Sequence, residues 1–72
     1  MTFTSIRLMY QKIIENDTHY PCNGCKYCDN LNSLGNYLSS GYKGTFPEDK
    51  LEYFDIYRLM NIAEKFGYRE HY

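Results

Sequence analysis

His19-Tyr20-Pro21-Cys22-Asn23-Gly24-Cys25-Lys26-Tyr27-Cys28 is the stretch on which the reading of this chain turns, because it holds every cysteine of the sequence, each two residues from the next. Thiolates bind zinc and iron–sulfur clusters, and two-residue gaps let neighbouring sulfurs converge on one centre without strain. Asn23-Gly24 permits the positive backbone dihedrals of a tight knuckle. Cys25 and Cys28 stand three apart where a helix begins, so both can sit on its first turn, with backbone amides, the helix dipole and Lys26 all favouring the thiolate. The expected cluster is therefore a knuckle followed by a helix start.

The fourth ligand is expected to be His19, two residues before Cys22 with Pro21 stiffening the connection, which completes the site inside one loop. His71 is the rival, since a ligand from the tail would close a long loop and restrain the unfolded chain more. Zinc is preferred as the ion. The C-x2-C-x2-C run is similar to the first half of the bacterial ferredoxin pattern but lacks its fourth cysteine and trailing proline, which leaves an iron–sulfur cluster as the lesser alternative. Three unliganded buried cysteines are the bland alternative.

At 72 residues the chain is one domain, spanning 1–72. A domain of this size buries only about 60% of its unfolded surface, and small domains commonly add a disulfide or a structural metal. Three cysteines cannot all pair, and such close ones make poor loop-closing disulfides, so a metal in a reducing compartment is the consistent reading. No leader pattern or apolar run of membrane-spanning length is visible, and the protein is expected to be cytoplasmic, without a membrane partner.

Around the knuckle the apolar spacing predicts a mostly α fold: a small three-helix domain with the cysteine loop between helices one and two. The first helix runs from a cap at Thr4 or Ser5 to about Glu15, burying Ile6, Met9, Tyr10, Ile13 and Ile14. The second carries Tyr27, Leu31, Leu34 and Leu38 and ends at Ser39-Ser40-Gly41. Asn32, Ser33, Gly35 and Asn36 have poor helix propensity, so packing or metal must hold it. Thr45-Phe46-Pro47-Glu48 reads as a capping box opening a long third helix to about Phe66, with Tyr53, Ile56, Leu59, Met60, Ala63 and Phe66 as its inward stripe and Gly67 as its stop.

Function is less visible. The formal net charge of −1 offers no basic footprint for a nucleic acid, and zinc held by three thiolates adds one more negative charge. Glu48, Asp49, Glu52 and Asp55 read as a solvated, dipole-compatible face rather than a catalytic carboxylate pair. A thiol-redox enzyme would need a strand-helix-strand setting that is missing, and so small a core leaves scant room for a substrate cleft, so no enzyme is expected. Nine tyrosines and four phenylalanines, with no tryptophan, exceed what the core can hide. Surface tyrosine is a favoured interface residue, so the expectation is a zinc-binding protein–protein interaction module contacting its partner through Tyr20, Tyr27 and Tyr42, with Tyr53 inward. Small size and Tyr-, Asn- and Lys-rich composition suggest a phage or mobile-element inhibitor or modulator of a host protein. A zinc-dependent nucleic-acid binder using Lys26, Lys43 and Arg69 is the alternative, disfavoured because these cations are few and scattered.

Overall fold

Residues 1–20, 22 and 24–68 are described by the computed structural model of the chain. Among these residues four helices follow in order: α1 (Phe3–Asn16), α2 (Lys26–Leu38), α3 (Glu48–Tyr53) and α4 (Ile56–Glu64). The protein is mostly helical, and the His/Cys loop lies between the first two helices as expected.

The first helix starts earlier than its local sequence suggests. Thr2, not Thr4 or Ser5, is the cap: its Oγ1 accepts the Ser5 N–H at 3.1 Å. The reason is tertiary. Thr2 is extended because it pairs antiparallel with Thr45, with Phe3 N–H donating to the Gly44 carbonyl at 2.9 Å and Phe46 N–H to the Met1 carbonyl at 2.8 Å. That pairing takes Thr45 away from capping duty, so the expected capping box does not form, and the residue before α3 is Pro47, which makes no side-chain cap bond. Phe3, Ile6, Met9 and Ile13 form the buried stripe of α1, each side chain contributing about 1.5–3 kcal/mol by removal from water.

α2 buries Cys28, Leu31, Leu34 and Leu38. Gly35, costly in isolation, is where Tyr10 of α1 crosses: a β-carbon there would stand 2.9 Å from Tyr10 Cζ. The glycine exchanges helix propensity for close approach of the two helices. At the far end, the Arg7 guanidinium donates to the carbonyl of Leu38 (3.0 Å), an acceptor that the helix terminus leaves open, and to that of Tyr42 (2.6 Å) in the segment beyond it.

The long third helix of the sequence reading is two helices. Asp55 adopts φ 52°, in the left-handed region, and breaks the run between α3 and α4. The cause is burial. Phe54 and Ile56 are both buried, yet residues two apart on one continuous helix face opposite ways, so only a break turns both inward. Tyr53 is thereby turned out, at 69% exposure, which corrects its assignment to the inward stripe. Leu51, Phe54, Ile56, Leu59 and Ala63 line the core instead. α4 ends at Glu64, and the expected stop residue Gly67 (φ 87°) follows it: Gly67 N–H donates to the Glu64 carbonyl and Tyr68 N–H to that of Ala63, a Schellman closure.

α1 is the central element, lying against both α2 and α4. Beneath the helix ends, Phe3, Tyr37, Phe46 and Phe54 form an aromatic cluster with ring centroids 4.9–5.8 Å apart. No helix of the described residues is long and apolar enough to cross a membrane.

Candidate metal centre

The loop over 17–25 begins where α1 stops. Asp17 N–H still donates to the Ile13 carbonyl at 2.8 Å, while the Asp17 carboxylate turns forward: Oδ1 accepts the His19 N–H at 2.9 Å and Oδ2 accepts the Tyr27 hydroxyl. One side chain thus ties the end of α1, the start of the loop and the first turn of α2. Its partners favour the charged form, first of all the Tyr27 hydroxyl, and hold its pKa below the ordinary carboxylate value. For Tyr27, burial and the same carboxylate push the phenol pKa up. Tyr20 adds a second tie, donating to Asn32 Oδ1 at 2.6 Å, and the Cys28 thiol reaches the His19 carbonyl at 3.8 Å.

These ties bring four donors together. The His19 ring nitrogens and the sulfurs of Cys22, Cys25 and Cys28 offer ligand atoms all within 4.8 Å of one another. Cys22 Sγ stands 3.1 Å from Cys25 Sγ and 3.0 Å from Cys28 Sγ, and His19 Nε2 lies 3.2 Å from Cys25 Sγ and 3.7 Å from Cys22 Sγ. A tetrahedral ion bonded to sulfur at about 2.3 Å requires ligand atoms about 3.8 Å apart. The four spacings just given, 3.0–3.7 Å, are somewhat shorter than that edge, and no two of the donor atoms are more than 4.8 Å apart. The group can hold a metal ion.

Each donor has a distinct environment. Cys28 is fully buried on α2, and burial pushes its thiol up to about 12. Cys25 is the extended cap of α2 and is part-exposed; its sulfur accepts hydrogen bonds from the Cys22 thiol and from the Cys28 N–H (3.2 Å), which bring its pKa down to about 6. The amide contact is the one anticipated from the three-residue spacing, and a bound cation would favour the thiolate at all three sulfurs. Gly24 has the anticipated positive φ, 84°. Pro21, Asn23, Arg69 and the rival ligand His71 lie outside the described residues.

The three tyrosines singled out from the sequence fall into two groups. Tyr20 and Tyr27 are half-buried and spend their hydroxyls on Asn32 and Asp17, whereas Tyr42 is half exposed and stacks on Phe3 with centroids 5.6 Å apart. Tyr53 and Tyr57 are more exposed than any of them, at 69% and 62%. Asp17 was missed by the sequence reading, although an aspartate two residues before His19 is a signal in itself: Asp side chains commonly bond the backbone two residues on. Beside the centre, Lys26, Tyr27, Asn30, Asp55, Arg58 and Leu59 line a cleft of about 280 Å³.

Compared with known protein families, with curated proteins and with solved structures, the chain matches none.

Proposed function

We propose that the protein is a zinc-stabilised protein–protein interaction module, with His19, Cys22, Cys25 and Cys28 as the ligands of one Zn2+. The observation that carries this is the convergence of four donors from one loop and the first turn of α2, which forms a closed set with no position left for substrate. A structural role follows from such closure, and three thiolates with one imidazole suit zinc better than a cluster that usually takes four thiolates. No catalytic role is assigned.

The module is read as acting by contact, as a phage or mobile-element modulator of a host protein; small size and a tyrosine-rich surface support this. We place the contact on Tyr42, Tyr53 and Tyr57, whose rings are open to solvent, and give Tyr20 and Tyr27 the task of fastening the loop. Aromatic rings of this kind give large contact area at low entropic cost.

Elemental analysis of the purified protein tests the metal: one zinc per chain in a colourless solution is expected, and stoichiometric iron with visible absorbance overturns it. The contact reading is tested by comparing the wild type with a Tyr42→Ala/Tyr53→Ala/Tyr57→Ala variant against the proteins each retains. The variant should lose its specific partner while keeping zinc and helicity. Retention of that partner, or tight nucleic-acid binding with steep salt dependence, would replace this reading with the nucleic-acid one.

A further inference from the structure

The three sulfurs are not equivalent, and their differences point to a second property of the centre. Cys22 lies within bonding reach of two neighbours, at 3.1 Å from Cys25 and 3.0 Å from Cys28. Distance does not choose between them. Exposure does: Cys22 and Cys25 are both part-exposed, while Cys28 is sealed in the core face of α2. Backbone state agrees, since Cys25 is extended (φ −102°, ψ 147°) and outside the helix, whereas Cys28 is fixed within it.

We propose that the metal centre is also a reversible thiol–disulfide switch in which Cys22 and Cys25 are the reacting pair, Cys28 stays reduced, and oxidation by a small-molecule disulfide expels the ion. This rests on the zinc reading above. In the first step the Cys22 thiolate attacks one sulfur of the oxidant; that disulfide breaks, a mixed disulfide forms on Cys22, and one thiolate of the oxidant leaves. The Cys25 thiolate then attacks Cys22 Sγ and expels the second. Two electrons pass from the Cys22–Cys25 pair to the oxidant, which ends as two thiolates. The ion keeps only Cys28 and His19, too few to hold it in a closed tetrahedral site, and it passes to solvent.

The structural effect is local and readable. Cys25 Sγ is the side chain that accepts the Cys28 N–H and caps α2, and a disulfide sulfur is a much poorer acceptor than a thiolate, so oxidation removes the metal and the cap together. The bond closes a very small loop, so it restrains the unfolded chain little and a dithiol reductant reverses it.

The test uses the zinc-loaded 72-residue chain with oxidised glutathione as the probe. Zinc release is followed with a chromogenic chelator, and free thiols are then alkylated and mapped by mass spectrometry after trypsin digestion. Lys26 separates the candidates, so the enzyme leaves Cys22 and Cys25 on one peptide and Cys28 on the next. The expected result is loss of one zinc per chain, an internally oxidised Cys22/Cys25 peptide, alkylated Cys28, and recovery of zinc binding after dithiothreitol. Zinc retained through oxidation, or a cross-link joining the Cys28 peptide to the other, overturns the switch while leaving the zinc reading intact. Protein shown to contain no zinc before the oxidant is added overturns that reading, and this proposal with it.

Discussion

α2 and the α3–α4 corner are held in opposite ways. α2 is fastened from outside: Cys25 caps its first turn, Asp17 and Tyr20 reach it from the loop at Tyr27 and Asn32, and Arg7 bonds its last carbonyl, that of Leu38. Neither α3 nor α4 has a side-chain cap at its start, and their corner is shaped by burial of Phe54 and Ile56 on either side of Asp55. Poor helix formers thus run unbroken where anchors are many, and better ones break where the core demands two inward residues only two positions apart. Tertiary fastening, more than propensity, decides continuity in so small a domain.

Breaking the fastening at its metal end should have the largest effect. Cys25→Ser removes a ligand while its hydroxyl can still cap α2, so the loss reports the metal alone; it is expected to release the ion and cost at least about 2 kcal/mol, lowering the melting temperature by more than about 10 °C. Unchanged helicity and melting in the metal-free variant would show that α2 stands without its anchor.

A smaller loss is expected at the loop's other tie. Asp17→Asn weakens the bonds to His19 N–H and the Tyr27 hydroxyl and should cost about 1 kcal/mol at pH 7. The folded-state pKa of Asp17 is depressed, so its contribution is present above the ordinary carboxylate pKa of about 3.9 and is lost as pH falls through the lower folded value. Equal melting of variant and wild type at pH 7 would remove Asp17 from the set of anchors.

Gly35→Ala sets propensity against packing inside α2. The alanine gains about 0.8–1 kcal/mol of helix propensity but crowds Tyr10, and overpacking of this kind costs about 1–3 kcal/mol, so a net loss near 1 kcal/mol is expected by chemical denaturation. A stabilised variant would mean that the Tyr10 ring yields. The smallest change is of opposite sign: Asp55→Gly relieves the left-handed backbone at φ 52° and should stabilise by about 0.5 kcal/mol, with destabilisation showing that the Asp55 side chain matters more than its dihedral.

The same contrast explains what could be read from the sequence. The α1 stripe of Ile6, Met9 and Ile13, the α2 stripe of Leu31, Leu34 and Leu38, and the proximity of the four His/Cys donors are local in sequence, and local spacing revealed them. What escaped depends on distant partners. Thr2 becomes a cap because of Thr45; Thr45 fails as a cap for the same reason; the split at Asp55 serves a core contributed by other helices. The buried pair Phe54 and Ile56 did carry a sign of that split, because no single helical face accommodates both. The internal use of the Tyr20 and Tyr27 hydroxyls was hidden too, since nothing in composition tells a surface ring from a bonded one.

The central position of α1 has a consequence for the order of assembly. Its contact with α2 is closed by the short loop over 17–25, whereas its last tie, from the Tyr68 hydroxyl to the Ser5 carbonyl, spans 63 residues. Closing a loop about six times longer costs about 1.6 kcal/mol more in chain entropy, so the α1–α2 hairpin should form first and α4 should dock onto it afterwards. Every ligand of the proposed ion belongs to that early hairpin. A folding chain can therefore gather the proposed ion before α4 has docked, which would put metal supply at the first step of assembly rather than the last.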